Sequence, residues 1–99
     1  MKEKLKLKKW DTSETLETER DIAGYLAAAF ETSDITVIRK AMENVAKARN
    51  MTDIAKQMGI SRSGLYKMFS ENGNPELATV QKFLDVVGAR LSVQPAMVA

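Results

Sequence analysis

Apolar residues recur at helical spacing through most of this chain and alternate strictly only near its two ends. Ile22, Leu26 and Phe30, with Ala23 and Ala27 beside them, predict an amphipathic helix of about three turns. Thr18 is its expected N-cap, and Glu19 and Asp21 fall in the first turn, where they complement the helix dipole. Thr32-Ser33-Asp34 breaks this helix and caps a second, whose stripe is Ile35, Ile38, Met42, Val45 and Ala46. Lys47 and Arg49 lie in its last turn, and Asn50 is the stop. Residues 51–70 read as two short helices around Gly59. Glu71-Asn72-Gly73-Asn74-Pro75 is loop chemistry, with Pro75 favouring a new helix start. The last helix is expected over 76–87, with Leu77, Val80, Phe83, Leu84 and Val87 at core spacing and Gly88 as its C-cap.

At the ends the period changes to two. Leu5 and Leu7 alternate with Lys4, Lys6 and Lys8, and Leu91 and Val93 alternate with Arg90, Ser92 and Gln94 up to Pro95. Two short strands are predicted, which must pair with each other or across a dimer because an exposed edge is a liability. Asp11 to Thr18 reads as a polar connector. The expected fold is all-α: one domain over residues 1–99 with five helices and short terminal β-strands.

The most informative stretch is Met51–Ser70. Ala55 is small where the second helix must cross the first. Gly59 supplies positive φ in the turn without a Cβ penalty. Ile54, Met58, Ile60, Leu65 and Met68 or Phe69 fill the wedge between the helices, and Ser61 caps the second. The outward face then offers Arg62, Ser63, Tyr66 and Lys67. This is how a helix-turn-helix presents a recognition helix to the major groove of DNA. Arg62 or Lys67 can donate to guanine O6 and N7, Ser63 can bond either class of base, and Tyr66 can reach phosphate or a thymine methyl. The N–H groups at the Ser61 end can meet a phosphate. Thr52, Lys56 and Arg49 are better placed for the DNA backbone. Gly64 departs from the pattern, costing about 1 kcal/mol of helix propensity relative to alanine. The competing structural reading is an ordinary αα-hairpin with solvated charges.

Composition narrows the chemistry. The chain has no cysteine and no histidine, which excludes disulfides and zinc sites built on those residues. The same absence removes the usual general bases and thiol nucleophiles, so no catalytic residue, metal or cofactor is expected. The carboxylates between Asp11 and Asp21 are read as capping and dipole features. Net charge is only +2 but unevenly spread. Lys2, Lys4, Lys6, Lys8 and Lys9 open the chain; Asp11, Glu14, Glu17, Glu19, Asp21, Glu31 and Asp34 then face only Arg20. One surface can attract phosphate while another meets a basic partner. The lysine-rich start has no apolar run of the signal-peptide kind. No segment approaches the roughly 20 apolar residues of a membrane span, so a cytoplasmic protein is expected. Trp10 suits an interface or a local core, and Met42, Met51, Met58 and Met68 sit at core positions.

The chain resembles the addiction-module antidote proteins, the HigA-like antitoxins with a Cro/repressor-type helix-turn-helix. The resemblance rests on Lys9-Trp10-Asp11, Asp21-Ile22-Ala23-Gly24-Tyr25-Leu26 and Ala46-Lys47-Ala48-Arg49-Asn50-Met51. It continues through Ile54-Ala55, Gly59 to Tyr66, Gly73-Asn74-Pro75, Thr79-Val80 and Gly88 to Val93. It implies a lambda-repressor-like domain. It also implies a homodimer that represses its own operon at palindromic operator DNA and neutralises a RelE/ParE-like toxin encoded beside it. The DNA-reading role carries over to Ser61, Arg62, Ser63, Tyr66 and Lys67, with no toxin contact assigned to particular residues. Many antitoxins wrap their toxin with a long disordered arm, which this chain lacks. A stand-alone Cro-like repressor without a toxin predicts the same DNA chemistry. A pure protein-interaction module predicts no sequence-specific DNA binding.

Overall fold

The computed structural model describes residues 16–96, and within them the chain forms five helices: α1 Glu19–Glu31, α2 Ile35–Ala48, α3 Met51–Met58, α4 Arg62–Phe69 and α5 Leu77–Val86. Four of the five start on a side-chain cap. Thr18 Oγ1 accepts from the Asp21 N–H at 3.0 Å while Asp21 Oδ2 accepts from the Thr18 N–H at 3.2 Å, a reciprocal capping box. Asp34 Oδ1 accepts from the N–H groups of Thr36 and Val37 at 2.9 and 3.4 Å. Asn50 and Ser61 cap α3 and α4 in the same way. Asn50, expected only as a stop, therefore also starts the next helix. Its φ of 85° lets the chain reverse between α2 and α3 without an intervening loop.

Two helices end on glycine. Gly59 (φ 75°) and Gly88 (φ 83°) both sit in the left-handed region. The N–H of Ile60 donates to the Ala55 carbonyl at 3.0 Å and that of Gly59 to Lys56 at 3.1 Å. Ala89 and Gly88 repeat the pattern on Leu84 and Asp85 at 2.8 and 3.1 Å. These are Schellman caps, which satisfy carbonyls that would otherwise face an open helix end.

α1 packs on α2, α2 on α3 and α4, and α3 on α4 and α5. Ile22 and Leu26 of α1 meet Met42, Val45 and Ala46 of α2 in one core with Ile54, Ala55, Met58, Leu65, Phe83 and Leu84. Phe69 and Phe83 meet edge to face, centroids 5.7 Å apart. Met42, Met51, Met58 and Met68 are all buried, as their spacing predicts. Leu16 is buried ahead of α1.

Three expectations need correction. Ile35 and Leu77 were placed on core stripes but are 63% and 66% exposed. Each is the first residue of its helix, where the periodic face has no preceding turn to extend the contact. The predicted helix over 76–87 is shorter at both ends: Glu76 is extended (ψ 154°) and Val87 is the cap. The strand expected over 90–94 does not form, and residues 89–96 have no regular structure. Nor does the alternation choose sides: Leu91 packs partly against the core while Val93, which a strand would place on the same face, is 95% exposed. A ladder needs a second strand to exchange hydrogen bonds, and no strand lies among the described residues. The strand expected over 4–8 and Trp10 fall outside the described residues, as does most of the connector.

Candidate nucleic-acid interface

α3 and α4 are joined by Gly59, Ile60 and Ser61. Their mutual angle is held from inside. Ala55, Met58 and Leu65 are buried between the helices, and Ile60 packs partly under the turn. Anchoring that face leaves the other to solvent. Arg62, Ser63, Tyr66 and Lys67 all lie exposed on α4, one turn apart in pairs, with Ser61 exposed at its head. Thr52 and Lys56, four residues apart, are exposed on α3. The seven residues singled out from the sequence are thus solvent-facing members of one helix pair. Arg49 is half-buried at the α2 cap.

The side chains are partly committed to each other. The Arg62 guanidinium lies 5.6 Å from the centre of the Tyr66 ring and donates to the Tyr66 hydroxyl at 3.4 Å. That contact across one helical turn holds Arg62 along α4 instead of leaving it free. Ser61 Oγ accepts from the Gly64 N–H at 2.9 Å, so its hydroxyl caps the helix. The N–H groups of Arg62 and Ser63 lie in the first turn, where no intrahelical acceptor exists, and point outward as anion donors. A Cβ at Gly64 would lie 3.1 Å from Ser61 Oγ, so the capping side chain would have to move by a few tenths of an ångström to admit one.

One contributor was not legible from the sequence. Arg39 of α2 is 9% exposed, and its Nη1 donates to the carbonyls of Glu71 at 3.1 Å and Gly73 at 3.5 Å. Those residues form the turn that leaves α4. Ser70 Oγ also donates to the Lys67 carbonyl at 2.8 Å. A buried cation thus holds the loop at the negative end of α4. The only sequence signal was an arginine falling between Ile38 and Met42 of an apolar stripe.

Among the described residues no helix is long and apolar enough to cross a membrane. Nor does any group of three or more acidic side chains there form a metal site. The family described as "Probable addiction module antidote protein" matches residues 6–95. An uncharacterised protein of Haemophilus influenzae strain Rd is 41% identical over 93 residues, spanning 94% of this chain and 96% of its own. No solved structure matches significantly. A match that runs from the lysine-rich start through all five helices to Pro95 covers the fold and the α3–α4 face together, and the chain belongs to the family of probable addiction module antidote proteins.

Proposed function

We propose that this protein is the antitoxin of a type II toxin–antitoxin module, that it neutralises a RelE/ParE-like toxin, and that it represses its own operon. In this reading the α3–α4 pair is the helix-turn-helix of a lambda-repressor-like domain acting as a cytoplasmic homodimer. α4 enters the major groove of a palindromic operator. Arg62, Ser63, Tyr66 and Lys67 reach base edges or phosphate, the Ser61 end of α4 meets a phosphate, and Thr52 and Lys56 clamp the backbone.

The observation that carries the reading is membership of the antidote family by a chain whose α4 buries Leu65 and Met68 yet presents Arg62 and Lys67 outward. Membership supports a toxin partner and a non-enzymatic role. The exposed basic face supports DNA as the second partner. The acidic stretch from Asp11 to Asp34 supports a basic toxin.

Two measurements test the two halves. Co-expression with the adjoining gene is expected to relieve toxicity and yield a complex; no complex and continued toxicity would remove the antitoxin half and leave a stand-alone repressor. A gel shift on DNA upstream of the gene is expected to show a sequence-specific band. Equal binding to unrelated DNA would remove the repressor half.

A further inference from the structure

A groove of about 410 Å³ lies open between α1 and the segment that follows α5. Ala23, Ala27 and Phe30, on one face of α1, form one wall, and Arg90, Leu91 and Ser92 form the other. Buried Leu26 and Leu84 make the floor. The first wall is a finished helix. The second is not: residues 90–96 have no regular structure, and among the described residues their backbone groups exchange no hydrogen bond with other backbone. Main-chain donors and acceptors beside an apolar floor suit one kind of occupant. An extended peptide pairs with them while its alternate side chains fill the groove. The charges on the walls, Glu31 and Arg90, are opposite in sign and select no partner by themselves.

The chain carries such a peptide next to this groove. Residues 1–15 lead into Leu16, which is buried ahead of α1. The start of α1 adjoins the turn where the second wall begins, since a Cβ on Gly88 would lie 2.6 Å from Glu19 Cδ. A segment arriving at Leu16 therefore meets the molecule at the end of the groove nearest Ala23 and Ala89. α1 is 13 residues long, about 20 Å. Residues 4–9 in extended form span a similar length at ~3.3 Å each, which leaves residues 10–15 to turn the chain into Leu16. Within that stretch Leu5 and Leu7 fall on one side and Lys4, Lys6 and Lys8 on the other.

We infer that residues 4–8 seat in this groove of their own chain as an extended strand, Leu5 and Leu7 over Leu26 and Leu84, their backbone paired with residues 90–94 and their lysines outward. The alternation at 90–94 is then that of a strand whose partner lies at the other end of the chain. Seated so, the lysine-rich start completes the domain and is not a free arm for DNA or toxin. The groove shares no residue with the α3–α4 face, so these lysines form a cationic strip separate from the proposed reading surface.

Amide hydrogen exchange, followed by NMR on the full labelled chain, tests the seat. In the parent, alternate amides of residues 90–94 are expected to exchange about tenfold or more slowly than in an unstructured chain. Leu5→Ser combined with Leu7→Ser removes the apolar side of the strand. Ala27→Arg fills the groove from an exposed helical site with little change in helix propensity. Either is expected to return these amides to the fast rate while those of α2, α3 and α4 stay protected. Ala28→Arg, one residue further and outside the groove, leaves them slow. Fast exchange in the parent overturns the inference, as does protection that survives both groove-directed variants. A last arm mixes labelled parent with an excess of the unlabelled Leu5→Ser/Leu7→Ser chain. Same-chain seating keeps the protection; its loss would mean that the strand comes from a second copy and overturns the seat within one chain.

Discussion

The guanidinium of Arg39 in α2 donates to the carbonyl of Glu71, 3.1 Å away and 32 residues further along the chain. This bond ties the loop after α4 to the helix that α4 packs on. Arg39→Met keeps much of the apolar stem but leaves the carbonyls of Glu71 and Gly73 without their donor. Losing hydrogen bonds from a charged donor costs about 1.5–3 kcal/mol, so the urea midpoint falls by that energy divided by an unchanged slope. Arg39→Lys keeps one point charge without the planar fork and recovers only part of the loss. An unaltered midpoint in Arg39→Met would mean the loop is not held by this side chain.

Gly73 and Gly24 are predicted to respond oppositely to alanine. A Cβ on Gly73 would lie 2.5 Å from the Met68 carbonyl oxygen and 2.6 Å from that of Lys67, both backbone atoms with no room to yield. Gly73→Ala should therefore destabilise by about 1–3 kcal/mol. Gly24 is mid-helix in α1 with nothing within 4 Å of its Cβ position. Gly24→Ala should stabilise by about 0.5–1 kcal/mol. Thermal unfolding of the two variants checks the signs, and the same sign for both would refute this packing of the α4–α5 loop.

Ser61 has two separable roles. Ser61→Ala deletes the cap on Gly64 and should cost about 1 kcal/mol, a fall in Tm of roughly 4–8 °C for a domain of this size. Ser61→Asp restores the cap but places a carboxylate where a phosphate would sit. Its Tm should match the parent while its affinity for DNA drops; parental DNA affinity would show that this end of α4 does not approach the backbone.

On the proposed interface, Arg62→Ala should weaken operator binding by about 1–3 kcal/mol and relax base preference at one position. Lys56→Ala should weaken binding to every sequence alike and lower the salt slope by about one. Titrations against operator and scrambled duplexes at several salt concentrations separate the two patterns. Unchanged operator affinity in Arg62→Ala would remove that residue from the reading surface.

Much of the α-helical framework was legible because its signals are local. Thr18, Asp34 and Ser61 cap helices through bonds to residues two or three positions on, and Gly59 and Gly88 end them through their own backbone freedom. The stripes Ile22–Leu26 and Met42–Val45–Ala46 follow the period of a helix whatever it packs against. The exposed α4 residues could be read as the complement of the buried ones, Leu65 and Met68, once the period was known.

What stayed hidden depends on partners distant in sequence. Ile35 and Leu77 fit their stripes, yet exposure depends on whether a neighbour reaches that turn, and for these two none does. Leu91 and Val93 alternate as a strand should, but a strand exists only when another chain segment completes its hydrogen bonds. Arg39 became the support of the α4–α5 loop only when segments 32 residues apart in the chain were set side by side. By itself the sequence determined where helices start, stop and turn their apolar faces, because capping and periodicity act within a few residues. Tertiary structure alone decided which of those faces are covered, because burial and pairing are properties of two segments and are written in neither.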